Sequence, residues 1–392
     1  MESIKVFHKY KFFDRFAVNH REFLVYVAIL LYCTAFFLTR VRIPLSQSII
    51  YKTMFLGAFL ALLNVFFDNK FTKKQIFLSL FLGIIILLDA LPIRNYEILT
   101  LYIIIWGCRG INYEKIIKFI LKIVIIMTIA TMFLTFCGIV EGNVHVTNFV
   151  RTRYDFGYGA WTILPFQYLS LAMMLLYVKK RKANLWNIII LIAIGFVICD
   201  WADVKSAKLL LVIGLFGLYA CNYIKIKKWQ NLKFLILLPE LLALISFIAT
   251  TIYKNTDLEI IQKINSILNN RLMYAAIGLE KYGISLLSNT TFKTIHASDG
   301  YFGIDNCYLY LLVAWGIIGL IIIMFIYSYI IHYCIKTENL KLLFITLIMV
   351  MNAIMWNRLL VLIEMEMLIC FADIFKQKKV TKMGVYRRKR LV

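Results

Sequence analysis

The sequence predicts an all-α, polytopic integral membrane protein of about twelve transmembrane helices, with both termini cytoplasmic and one large outer loop that contains an amphipathic helix. Three observations predict it. Of the 392 residues, 62% are hydrophobic and only 17% charged, a balance that excludes a water-soluble domain of this length. Apolar stretches long enough to cross a hydrocarbon core of roughly 30 Å recur along the whole chain. Lysine-rich segments punctuate alternate connections, as expected where short basic loops stay in the cytoplasm.

Each span has its own justification. The first, 23–39, follows a basic tail containing Lys5, Lys9, Lys11, Arg15 and Arg21, and no small-residue cleavage site follows Thr39, so it reads as an uncleaved span. The second, 48–67, is closed by Lys70, Lys73 and Lys74; the third, 75–91, carries Asp89 near its outer end; the fourth, 95–107, is short. A fifth, 116–140, precedes an outer segment with Arg151 and Arg153. The sixth, 159–178, stops at the basic run Lys179, Lys180, Arg181 and Lys182. The seventh and eighth, 185–201 and 206–224, are followed by Lys225, Lys227 and Lys228. The ninth, 232–253, holds Glu240. Residues 254–305 then form the one long polar interval, and spans at 306–333, 340–356 and 358–375 complete the set, the last containing Glu364 and Glu366. Residues 376–392 form a basic cytoplasmic tail, so the whole chain reads as a single integral membrane domain with 254–305 as an extracytoplasmic loop within it.

The net charge of +23 is accounted for by this topology and by attraction to anionic inner-leaflet lipid, with no nucleic acid needed as a partner. The eight cysteines show no paired spacing and read as small apolar residues, neither disulfides nor metal ligands. No repeat of fixed period is present.

Sorted by side, lysine follows the positive-inside rule and arginine does not. Arg40, Arg42, Arg94, Arg151, Arg153, Arg271 and Arg358 all map outside. A guanidinium is a planar fork of donors suited to phosphate or carboxylate, whereas helix capping and lipid-headgroup contact are the plainer roles for Arg40, Arg42 and Arg94. Arg271 opens a segment with apolar residues at 272, 275, 276, 279 and 282, the spacing of one face of a helix. That helix lies on or between the spans and holds Arg271 near the membrane surface.

Three patches in this order resemble the Wzy-type polysaccharide polymerases of the O-antigen polymerase and ligase superfamily. They are the arginine-bearing segment ending in Phe156-Gly157-Tyr158, the Arg271-Leu272 helix followed by Tyr282-Gly283-Ile284-Ser285-Leu286-Leu287, and Asp305-Asn306-Cys307-Tyr308-Leu309 running into Trp315-Gly316-Ile317-Ile318-Gly319. Two departures stand out. Gly159-Ala160-Trp161 occupies the place of a common His-Pro-Asn, and Asp203 to Lys208 the place of a Ser-Arg element, so that Lys205 or Lys208 supplies the charge without the bidentate fork.

The resemblance implies an enzyme of the bacterial cytoplasmic membrane that joins undecaprenyl-diphosphate-linked oligosaccharide repeat units into O-antigen, capsule or exopolysaccharide. A sugar hydroxyl attacks the anomeric carbon and lipid diphosphate leaves. No cofactor or metal is implied, and a flippase and a chain-length regulator are the implied protein partners beside the lipid bilayer. Arg271, with Arg151, Arg153 and Lys208, is the expected diphosphate-binding set. For the base, His296 competes with Asp305 and Asp299, His145 being the other outer histidine; Asp305-Asn306 also has the position of a helix N-cap. Glu364 and Glu366 are expected to pair with Arg358 or a neighbouring helix, and Tyr301, Phe302, Tyr308 and Tyr310 to belong to an interfacial belt. The competing functions are an O-antigen-type ligase, a flippase or transporter for the same lipid-linked glycan, and a metal-dependent transferase using a polyprenyl-phosphate sugar. The last of these lacks its acidic pair in the first outer loop, at Arg40 to Leu45.

Overall fold

A computed structural model describes residues 21–43, 45–66, 73–147, 151–179, 184–256, 258–292 and 303–375. The chain is mostly helical, with six helices long and apolar enough to cross a membrane and four shorter apolar ones among the described residues, the make-up of a multi-pass membrane protein. The basic tails before Arg21 and after Phe375 lie outside the described residues.

In chain order the helices are α1 (Arg21–Leu38), α2 (Gln47–Phe66), α3 (Lys73–Ile93), α4 (Glu97–Gly107) and α5 (Tyr113–Phe136). A two-stranded antiparallel hairpin follows, β1 (Val144–Thr147) and β2 (Arg151–Tyr154), in a register that sets His145 opposite Arg153. Then come α6 (Ile163–Val178), α7 (Leu185–Trp201), α8 (Lys205–Ala220), α9 (Leu238–Asn255) entered through a 3₁₀ stretch at Trp229–Leu237, α10 (Glu259–Ile267), α11 (Arg271–Tyr282), α12 (Cys307–Ala314), α13 (Gly316–Lys336) and α14 (Leu340–Asn352). Asparagine starts several of them: the side chains of Asn112, Asn184, Asn306 and Asn339 accept from free first-turn N–H groups. Small residues let neighbouring spans approach closely. A Cβ on Gly107 of α4 would lie 2.7 Å from Ala61 Cβ of α2.

Four features correct or extend the sequence reading. The interval 254–305 is not simply a loop, because it carries α10 as well as the expected amphipathic α11. The predicted tenth span breaks at Trp315-Gly316. Gly316 has φ of 68°, and the first N–H groups of α13 find partners outside their own helix, Ile317 N donating to Ser285 O at 3.0 Å and Ile318 N to Leu286 O at 3.1 Å.

The predicted twelfth span is not an α-helix. After α14 the chain runs through turns to a 3₁₀ helix, Glu366–Phe375, and residues 361–372 are all buried. Irregular backbone survives at membrane depth only inside protein, where its polar groups are satisfied. Here Tyr327 Oη donates to Leu359 O at 2.5 Å, Cys307 N to Ala353 O at 2.7 Å and Met365 N to Val361 O at 2.7 Å. This buried segment packs on α4, α5 and α13 and forms the axis of the core. Finally, Tyr308 is 1% exposed with its hydroxyl donating to Val350 O at 2.7 Å, so it is a core residue and not part of an interfacial belt. Tyr301 and Phe302 fall outside the described residues. All eight cysteines are free thiols.

Candidate functional site

Arginine–carboxylate pairs join the connections that follow α1, α5, α7 and α14, and a further pair lies within the stretch between α9 and α12. Arg42 Nη2 lies 2.8 Å from Asp155 Oδ2, and Arg153 Nη2 lies 3.5 Å from Asp203 Oδ2. Arg271 Nε lies 3.3 Å from Asp305 Oδ2. Arg40 pairs with Glu364.

The hairpin is built onto the residues that follow α1. Val41 bridges Tyr158, Arg42 N donates to Gly157 O at 2.9 Å, and Gly159 N donates to Arg40 O at 2.8 Å. Gly157, with φ of 83°, is required here: a Cβ would lie 2.2 Å from Thr135 Oγ1. Asp155 closes the turn by accepting from Gly157 N and Asn143 N, and it also holds Arg42. Arg153 stacks its guanidinium over Trp161 at 5.0 Å while reaching Asp203. Arg151 stands in β2 opposite Thr147.

Next to the hairpin lies a cluster of buried charges that the sequence did not suggest as a unit. Arg40 and Glu364 expose only 4% and 0% of their side chains. Burial first, then the nearby Arg358 guanidinium, push the Arg40 pKa down, opposed by Glu97, Tyr158 and Tyr32. Arg358 in turn is within electrostatic reach of Tyr310 in α12 and Glu97 at the start of α4. Glu364 therefore pairs with Arg40, not with Arg358, and Glu366 accepts from Ser170 Oγ at 3.0 Å. The pair is not saturated, since Arg40 Nε and Glu364 Oε2 are buried without a hydrogen-bond partner.

The second and third sequence patches come together in space. Arg271 begins α11, which packs on α9 and α12, and Asp305 stands two residues before α12. Their ion pair is supported by the Arg271 Nη1 bond to Leu268 O at 3.4 Å, and the Ser285 and Leu286 carbonyls accept from the first turn of α13. Asp89 Oδ1 accepts from Ser288 N at 2.9 Å, tying the same strand of chain to α3. Asn357 Nδ2 donates to Ile304 O at 3.1 Å, so the residue before Arg358 is bonded to the residue before Asp305. Arg40 thus contacts Glu364 and feels the charge of Arg358, whose chain neighbour Asn357 is bonded to the residue before Asp305, the partner of Arg271.

Several expectations are settled by this geometry. Asn306, not Asp305, caps α12, its side chain accepting from Leu309 N at 3.2 Å; Asp305 serves Arg271. Arg40 is a buried ion-pair member, neither a helix cap nor a headgroup contact. Lys208, in the first turn of α8, pairs with Asp200 of α7 at 2.5 Å and lies 4.5 Å from the Phe196 ring centroid, with its charge engaged. His296 and Asp299 lie outside the described residues, as do the side chains of Arg151 and His145. Among the described residues no three His, Cys, Asp or Glu side chains group as metal ligands. The residues missed from sequence were Glu97, Asp155 and Asp203. Each is a carboxylate at or near the end of an apolar stretch, and that position was the available signal. No protein-family model, no curated protein and no solved structure matches the chain.

Proposed function

We propose that this protein is a polysaccharide polymerase of the outer face of a bacterial cytoplasmic membrane, elongating glycans carried on undecaprenyl diphosphate. The observation that carries the reading is the gathering of arginine at one end of a membrane bundle, with Arg271 fixed at the start of a surface helix by an acid it can release. Further support comes from the contact between the two sequence patches that resemble such polymerases, at Ser285 to Ile317 and at Arg271 to Asp305.

In the reaction, a hydroxyl of the acceptor repeat unit attacks the anomeric carbon of the donor glycan. The bond from that carbon to the lipid diphosphate breaks and the electron pair leaves with the diphosphate. Arg271, a bidentate donor, takes the developing charge, and Arg153 at the hairpin rim is the second candidate. Exchange of Asp305 for a phosphate oxygen on Arg271 would leave the Asp305 carboxylate beside the leaving group, as a base for the attacking hydroxyl. His296 and Asp299 are the other candidates for that proton.

One observation favours a second reading. A broken span at Gly316 and an irregular buried segment at 353–365 are features of transporters that bind substrate between discontinuous helices. The purified protein in liposomes, given lipid-diphosphate-linked repeat units and no nucleotide, separates the two. Polymerisation gives a ladder of glycans. A flippase gives transbilayer movement with every glycan still one repeat long, and that outcome would overturn the polymerase reading.

A further inference from the structure

The helix α10, Glu259–Ile267, has three chemically different faces. Asn265 turns inward and is buried. Its Nδ2 donates to Asn270 Oδ1 at 3.1 Å, and its Oδ1 accepts from Met273 N at 3.1 Å, which fastens α10 to α11. Glu259, Gln262, Lys263 and Ser266 form a polar face, with Lys263 paired to Glu259. Between these faces Ile260, Ile264 and Ile267, at helical spacing, are exposed by 65%, 40% and 78%, and Leu258 just before the helix by 54%. Nothing within the described chain covers this stripe.

The neighbouring element says what does. The span that ends in α9 stops at Asn255, and its outward face of Leu241, Leu244, Ile245, Ile248 and Ile252 is exposed in the same way. In a multi-pass protein that face meets lipid. The chain leaves it and enters α10 at Glu259, four residues after α9 ends, and α10 also packs against α9, so its exposed stripe lies beside a helix whose own exposed face meets lipid. A second copy of the chain is the poorer occupant, since four aliphatic side chains fall far short of the roughly 1,200–2,000 Å² buried in a stable interface. A helix with a full apolar stripe, a polar face and low net hydrophobicity suits the boundary of headgroups and acyl chains, where such helices sink about 5–10 Å.

We propose that α10 is an interfacial helix that lies in the outer boundary of the bilayer with Ile260, Ile264 and Ile267 among the acyl chains. Its consequence reaches the candidate site, resting there on the proposed function. The turn between α10 and α11 is made by Asn269 and Asn270 in the left-handed region, φ 54° and 62°, and Asn270 N donates to Asn265 O at 2.8 Å. Arg271 is the next residue. Anchoring α10 therefore fixes the height of Arg271 at the level of lipid phosphates.

The test uses the full-length protein in nanodiscs of phosphatidylglycerol and phosphatidylethanolamine. A nitroxide is attached through p-acetylphenylalanine introduced singly at Ile260, Ile264, Ile267, Gln262 and Ser266, avoiding the native cysteines. Collision of the probe with oxygen, which concentrates in acyl chains, is compared with collision with a water-soluble nickel chelate. The expected result is a helical period: oxygen dominates at 260, 264 and 267, and nickel at 262 and 266. Equal accessibility at all five positions, nickel dominance at 264, or dipolar broadening between two copies would overturn the proposal. The readout needs no catalytic activity, so its failure leaves the polymerase reading standing and the failure of polymerisation leaves it standing.

Discussion

Two arginine–carboxylate pairs at the same end of the bundle do opposite work. Arg40 and Glu364 are 4% and 0% exposed, whereas Arg271 and Asp305 keep 16% and 37% of their side chains open. The first pair joins residues 324 apart in sequence and locks the segment after α1, on which the hairpin is built, to the irregular buried segment after α14; the second joins residues 34 apart and is partly open to solvent. Burial decides the difference. A buried pair is stable only while both charges are present, and losing one strands the other. A half-exposed pair costs little to open, as the proposed binding of a charged substrate by Arg271 would require.

The largest effect should follow from breaking the buried pair. Glu364→Ala leaves Arg40 in the core without its carboxylate and is expected to destabilise the protein by about 3–5 kcal/mol, read as a large fall in thermal melting in detergent. Replacing both members together, Arg40→Met with Glu364→Leu, should recover much of that loss. A melting temperature unchanged by Glu364→Ala would mean that the two pairs are energetically alike.

Next in size is the hairpin that sits on Arg40. Gly157→Ala places a Cβ against Thr135 at a positive φ and should cost about 1–3 kcal/mol. It would sharpen the comparison by loosening Arg42 and Asp155 while leaving Arg271 alone. For the open pair the expectation is reversed. Arg271→Ala should reduce polymer synthesis by about 100-fold or more, the usual scale for losing one donor to a developing anion, with melting shifted by less than about 1 kcal/mol. The smallest effect belongs to Lys208. Its pair with Asp200 is partly exposed, and Lys208→Gln should change stability by less than about 1 kcal/mol and leave polymer length unaltered. A polymerisation defect there would support Lys208 as a member of the diphosphate-binding set.

The six long apolar helices were legible because an apolar run is a local signal, and α11 was legible from the helical spacing of Leu272, Ala275, Ala276 and Leu279. Its neighbour α10 was not. Nine residues with Glu259, Gln262 and Lys263 among the isoleucines look polar within a polar interval, although their period is helical. The segment after α14 failed for a different reason. Residues 358–375 have the composition of a span, but composition cannot tell lipid from the middle of a protein, and Arg358, Glu364 and Glu366 sit there because other helices surround them. Arg271 could be singled out from sequence, and its ion pair with Asp305 could not, since a carboxylate ahead of a helix reads first as a cap. Asn306 had that role.

The central claim, that Arg271 binds the leaving diphosphate, is most directly tested by single-turnover elongation with purified protein in liposomes, comparing wild type, Arg271→Lys and Arg271→Ala on one lipid-diphosphate-linked repeat unit. The account predicts elongation in wild type, a weaker rate in Arg271→Lys where the charge stays but the fork is lost, and a product still one repeat long in Arg271→Ala with its melting unchanged. Equal elongation by wild type and Arg271→Ala would contradict it.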